Sequence, residues 1–302
     1  MPRHQRSNQK RRGTPTRNEP RRPPLGQPSA VPAPRAPTRL QRGGTGDVAQ
    51  RRDTGGWIYG RHAVVAALGN PKRRCRRLVA LRETEAEARA LLAAARARLP
   101  EGLAPEILDR GRLELMLPEG AVHQGLALQA DALAPTFLED VLAELPPDPA
   151  AAPAVVVALD RVSDPHNVGA ILRSAAAFGA RAVLLPEHGT PPVTAALAKA
   201  ASGALEQLPL IRVTNLVRAL DLLKAAGFWT VGLDEGAEQM LAALNLSGRI
   251  ALVLGGEGEG LRRLTRERCD LLARLPTGDR LASLNVSNAA AIALYEIARR
   301  LK

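Results

Sequence analysis

From about residue 154 onward, short apolar runs alternate with segments whose apolar positions recur every three or four residues. The runs at 155–159, 182–185, 228–233, 250–254 and 271–275 read as buried strands. The patterns at 168–178, 192–201, 216–226 and 286–301 read as helices. Strands and helices that alternate with short loops predict an open parallel sheet covered on both faces, an α/β fold. Between Trp57 and Ala130 the same reading gives helix, strand, helix, strand, short helix, strand. The first helix, 61–68, stops at Gly69-Asn70-Pro71, and 86–99 is an Ala/Arg/Leu helix of good propensity. Short strands fall at 78–81 and 126–129. Five prolines in 134–153 flank a short amphipathic stretch, 137–145, and mark a linker. The expected organisation is therefore a tail at 1–55, a small α/β unit at 56–133, a linker at 134–153 and a larger α/β unit at 154–302.

Charge separates the tail from the rest. Residues 1–55 hold 13 Lys and Arg against three acids, which is +10 of the chain's net +12. This segment is rich in Pro, Gly, Ser and Gln and poor in bulky apolar residues, a composition that cannot offset the entropy of ordering, so it reads as disordered. Three roles fit it: an electrostatic arm for nucleic acid, a solvated low-complexity extension, or an Arg-rich transit peptide lacking an amphipathic period.

Composition excludes several classes. Cys75 and Cys269 stand far apart without metal-ligand spacing, which argues against a disulfide framework or a zinc site and fits a reducing cytoplasm. No apolar run reaches the roughly 18–20 residues of a membrane span, and no signal-peptide pattern is present. The chain has two Trp, two Tyr and three Phe, too few to build base-stacking platforms.

Three loops carry unusual residues, each after an expected strand, where parallel sheets bind ligands. The first, Asp160-Arg161-Val162-Ser163-Asp164-Pro165-His166-Asn167-Val168-Gly169, runs into a helix that carries Arg173. Its polar groups suit a turn and a helix cap. Arg173 is not so explained, since an arginine in an Ala-rich apolar helix is costly to bury unless it meets an anion. The second, Gly255-Gly256-Glu257-Gly258-Glu259-Gly260, lacks both the dinucleotide fingerprint and a phosphate-loop Lys-Ser/Thr. Its open amides and carboxylates suit a cationic ligand without phosphate, such as S-adenosylmethionine, though a Gly-rich turn is more often only a turn. The third is Leu275-Pro276-Thr277-Gly278 followed by Ser283-Leu284-Asn285-Val286-Ser287-Asn288, more polar groups than one helix cap requires.

Together these segments resemble, in order and spacing, the three motifs of the SpoU family of RNA ribose 2′-O-methyltransferases; Thr277 stands where bacterial relatives often carry Met. The unit at 56–133, with Tyr59-Gly60-Arg61-His62-Ala63-Val64 and His123-Gln124-Gly125, resembles the RNA-binding domain of the family's 23S rRNA guanosine 2′-O-methyltransferases. The resemblance implies a deep trefoil knot at the carboxyl end, S-adenosylmethionine as cofactor, 23S rRNA or a ribosome-assembly precursor as partner, a homodimer, and no metal. It implies that Asn167, Arg173, Glu257, Ser283 and Asn285 carry catalysis. Gly255, Gly258, Leu275, Leu284 and Asn285 are then expected to hold the cofactor. The family's proposed base maps to Arg173, but an arginine stays protonated at ordinary pH, so stabilising a developing alkoxide or binding a phosphate suits it better. Two other readings stay open: a tRNA guanosine 2′-O-methyltransferase, and a non-catalytic RNA-binding or ribosome-assembly protein.

Overall fold

The computed structural model describes residues 56–96, 102–278 and 283–301; the basic segment 1–55, with its expected disorder, lies outside the described residues. The amino-terminal elements are β1 (Trp57–Tyr59), α1 (Arg61–Gly69), β2 (Cys75–Leu81), α2 (Glu85–Ala95), β3 (Pro105–Leu108), α3 (Arg110–Met116) and β4 (Leu126–Ala130). They build a four-stranded sheet of order β1-β4-β2-β3, in which only β2 and β3 run parallel. Side chains alternate across it. Ile58, Leu78, Ala80, Leu126 and Leu128 meet Val64, Ala67 and Leu68 of α1 and Ala88 and Leu92 of α2. Trp57, Tyr59, Val79, Leu81 and Ala127 meet Leu113 and Leu117 at α3 on the other face. The expected order of elements is present, with β1 added; a three-residue strand is too short to show a period of two.

The stretch expected as a connector forms α4 (Leu138–Ala143), whose Leu138 and Val141 join the core beneath the second sheet. There follow β5 (Ala154–Asp160), α5 (Pro165–Ala177), β6 (Ala182–Pro186), α6 (Ala195–Ala200), β7 (Leu210–Val213), α7 (Leu216–Ala225) and β8 (Phe228–Leu233). The chain closes with β9 (Arg249–Gly255), α8 (Arg263–Arg268), β10 (Leu271–Ala273) and α9 (Val286–Leu301). The six strands are all parallel, in the order β10-β8-β9-β5-β6-β7. This confirms the α/β parallel-sheet class, with one strand more than the five expected.

Every residue of β5 is buried, and its two faces serve different layers. Val155, Val157 and Leu159, with Ile250, Leu252 and Leu254 of β9, pack against α5, α6 and α9. Ala154, Val156 and Ala158, with Ala251 and Val253, pack against α4 and α7. The chain steps outward from β5 through β6 to β7, then returns to place β8, β9 and β10 on the other side. The order reverses between β5 and β9, and their carboxyl ends lie side by side, Asp160 opposite Gly255. That is where an open α/β sheet forms its binding crevice.

Candidate functional site

Two loops leave this crevice edge together. Asp160 is fully buried at the end of β5, and both its carboxylate oxygens accept from one residue beyond the glycine loop: Oδ2 from the Arg262 backbone N–H at 3.0 Å, Oδ1 from Arg262 Nε at 2.6 Å. Arg161 Nη1 lies 3.3 Å from Glu259 Oε2. The loop from Gly255 to Gly260 folds back on itself, closed by a bond from Gly260 N–H to the Gly256 carbonyl at 3.0 Å. A Cβ at Gly255 would lie 2.1 Å from the Gly260 carbonyl carbon, and one at Gly256 would lie 2.6 Å from the Arg161 carbonyl oxygen. Both positions exclude any side chain, because the atoms they would strike are backbone. Glu257 sits exposed at the loop's tip.

Asn167 comes from the first turn of α5, which Asp164 caps by accepting from the His166 N–H at 2.9 Å. It is buried, and its Nδ2 donates to Glu257 Oε1 at 2.5 Å. Asn285 comes from the start of α9. Its Oδ1 accepts from Ser287 N–H at 2.9 Å, Ser287 Oγ at 2.6 Å and Asn288 N–H at 3.4 Å, so it caps the helix. Its Nδ2 then donates to both Asn167 Oδ1 and Glu257 Oε1, each at 3.1 Å. The cap thus fixes which way the Asn285 amide points. That in turn sets the Asn167 amide, and two N–H donors converge on one carboxylate oxygen. Capping and site-building, rival explanations of the polar cluster, are both met by Asn285.

Asn167, Glu257 and Asn285 are thus brought together from three segments. Arg173 stands apart from this triangle: its side chain is exposed, its Nη1 donates to Ser202 Oγ at 3.4 Å, and among the described residues it has no ion pair. No cost of burial arises for Arg173, because it lies on the exposed side of an amphipathic helix whose buried side holds Ile171, Leu172 and Ala175. Ser283 is exposed, with no hydrogen bond among the described residues, and Leu275 and Leu284 are half-buried, Leu275 packing against the core. Gly258 has φ 79° at the loop's tip. Sequence reasoning took Asp160 only as the start of the first loop and passed over Arg262 and Ser202. The Ser202-Gly203 pair just past a helix was a legible turn signal; the Asp160–Arg262 pairing was not, since 102 positions separate the two.

The donor set fits a cationic, phosphate-free ligand: a carboxylate, two amides and a close-folded stretch of backbone, without a phosphate-loop lysine. Among the described residues no cluster of His, Cys, Asp and Glu could hold a metal ion, and no helix is long and apolar enough to cross a membrane.

Residues 154–295 match the SpoU rRNA methylase family, and residues 57–136 match the substrate-binding region of RNA 2′-O ribose methyltransferases. Over 244 residues the chain is 41% identical to the 23S rRNA (guanosine-2′-O-)-methyltransferase RlmB of Coxiella burnetii, covering 80% of this chain and 95% of that one. The same enzyme of Escherichia coli K12 is 39% identical over 80% of this chain and 98% of its own length. Among solved structures, an AdoMet-bound rRNA methyltransferase from Sinorhizobium meliloti superposes with TM-score 0.66 at 26% identity, covering 82% of this chain and 87% of that one.

Proposed function

Because the chain belongs to the SpoU rRNA methylase family, we propose that it transfers a methyl group from S-adenosylmethionine to the ribose 2′-OH of a guanosine in 23S rRNA, in the peptidyl-transferase region. The observation that carries this is the convergence of Asn167 and Asn285 on the Glu257 carboxylate beside a folded-back glycine loop, in a chain that aligns with the RlmB enzymes over nearly their whole length.

The cofactor, when bound, supplies a methyl already activated by a positive sulfur. The protein then has chiefly to position the nucleophile and handle its charge. The folded-back segment from Gly255 to Gly260, with the backbone near Leu275 and Leu284, holds the cofactor, and Glu257 provides the negative charge that suits a cationic ligand. Asn167 and Asn285 fix the Glu257 carboxylate by donating to it, and Ser283, two residues before Asn285 in sequence, completes the proposed catalytic set. Arg173 is exposed and free of any carboxylate among the described residues, so its charge is available to RNA. It stabilises the developing 2′-alkoxide or binds the neighbouring phosphate.

The four-stranded amino-terminal unit at 56–133 binds the RNA, 134–153 joins it to the catalytic unit at 154–302, and the basic segment 1–55 adds a salt-dependent hold on RNA. The carboxyl-terminal unit carries the family's trefoil knot, the protein works as a homodimer in the cytoplasm, and no metal takes part.

Transfer of labelled methyl to undermethylated 23S rRNA and, in parallel, to unmodified tRNA tests the reading. A 2′-O-methylguanosine in the peptidyl-transferase region is expected. Label in tRNA alone overturns the substrate, and cofactor binding without label on either RNA overturns the target class. Absence of cofactor binding overturns the enzymatic reading.

A further inference from the structure

The turn that follows α6 is conspicuous. Ser202 has φ 49°, in the left-handed region that non-glycine residues seldom occupy, and Gly203 next to it has φ 90°. Ser202 Oγ accepts from Arg173 Nη1 and donates to the Lys199 carbonyl, each at 3.4 Å, so its hydroxyl is committed in both senses. Gly203 is pressed against α1: a Cβ there would lie 2.5 Å from Ala66 Cβ and 3.3 Å from the His62 carbonyl oxygen. Three residues on, the Glu206 carboxylate accepts from Arg73 Nη2 at 2.5 Å, Arg73 Nε at 3.1 Å and Asn70 Nδ2 at 2.7 Å. This pair is nearly sealed from water, the two side chains being 10% and 5% exposed. Arg73 completes the joint by donating to the Asp131 carbonyl at 2.7 Å.

The geometry points to Ser202 as a positioning residue for Arg173, mounted on a turn that α1 and the Arg73–Glu206 pair hold in place. The assignment rests on the proposed role of Arg173. Ser202 is the polar contact that restrains an otherwise exposed guanidinium, and its strained backbone has a reason if the hydroxyl must face α5. The unit that binds RNA thereby sets where the charge on α5 stands, although among the described residues none of its own side chains bonds to that guanidinium.

Ser202→Gly in the full chain gives a clean test, because glycine accepts φ 49° without strain and removes only the hydroxymethyl group. Thermal stability is expected to hold or rise. Single-turnover methyl transfer is expected to fall about tenfold, the loss of one hydrogen bond to a charged group, with the KM for S-adenosylmethionine and the RNA affinity unchanged. Ser202→Asn, which tolerates the same backbone and offers an acceptor, should recover part of the rate. Phenylglyoxal modification of Arg173, followed by mass spectrometry, should quicken several-fold in Ser202→Gly and needs no activity to be read. For the mount, Gly203→Ala should lower the rate, and Ala66→Gly combined with it should restore part of the loss. An unchanged rate and unchanged labelling in Ser202→Gly overturn the proposal. If wild-type protein transfers no methyl to either RNA, the functional reading fails by itself, and the labelling result still decides whether Ser202 restrains Arg173.

Discussion

Asn285 performs two tasks with two ends of one amide, and substitutions exist that separate them. Serine is as good a helix cap as asparagine but has no second donor to spare for Glu257 and Asn167; alanine does neither. In Asn285→Ser, α9 keeps its cap, while the bond to Asn167 and the bond to the Glu257 carboxylate are both lost. A hydrogen bond to a charged group contributes about 1.5–3 kcal/mol, and the exposure of Glu257 places this one at the low end. With about 1.4 kcal/mol per tenfold in rate, methyl transfer should fall roughly 10- to 30-fold. Asn285→Ala should show the same kinetic loss and, in addition, lose the cap, about 1 kcal/mol. That corresponds to a melting temperature about 2–4 °C below the serine variant's for a folded body of this size. The assay is single-turnover methyl transfer alongside thermal unfolding of both variants. Full activity in Asn285→Ser would refute the reasoning, and a rate that merely tracks stability across the two would leave Asn285 as a cap alone.

Other expectations follow from particular contacts. Gly255→Ala places a methyl 2.1 Å from backbone that cannot yield without opening the glycine loop; calorimetry should show cofactor affinity lowered at least tenfold. Glu206→Gln leaves Arg73 nearly buried without its counter-charge, and removing one partner of such a pair costs about 3–5 kcal/mol. The retained amide oxygen brings the expected loss to about 2–4 kcal/mol, read by urea unfolding. Burial pushes the Cys269 thiol up to about 12, and its Sγ donates to the Thr265 carbonyl at 3.3 Å. An ordinary thiol ionises near pH 8.5, so at pH 8.5 Cys269 should resist iodoacetamide in the native protein and react once it is unfolded. Because the folded value lies above the unfolded one, the unfolded thiol ionises first, and this group weakens stability as pH rises from about 9 towards 12.

Strands buried on both faces announced themselves: β5 and β9 are unbroken apolar runs, and the crevice residues follow each of them directly. Elements with weak periodicity did not. β7, Leu-Ile-Arg-Val, carries a charge whose Nη1 is spent on Thr190 Oγ1 at 2.9 Å, a contact invisible in a local window. α8 is six residues of mostly charged sequence, stable only where it packs. At the site, Asn167, Glu257 and Asn285 were candidates through the family resemblance, but their mutual geometry was not legible, since it depends on pairs 28 to 118 positions apart. For Arg173 the composition of its alanine-rich helix left exposure open, and the phase of the helix turns it outward. The pairing of Arg73 with Glu206 had no local signal, since 133 positions separate the two.

The strand order also bears on how the chain is made. β5, β6 and β7 can pair as soon as they leave the ribosome, but the free edge of β5 waits for β9, which is synthesised roughly ninety residues later. During that interval an apolar strand, destined for the middle of the sheet, offers bare backbone amides and carbonyls to any neighbour, including a second nascent chain on the same message. Slower elongation between residues 160 and 249 should therefore raise the yield of aggregated protein, and a chaperone that shields this edge should lower it.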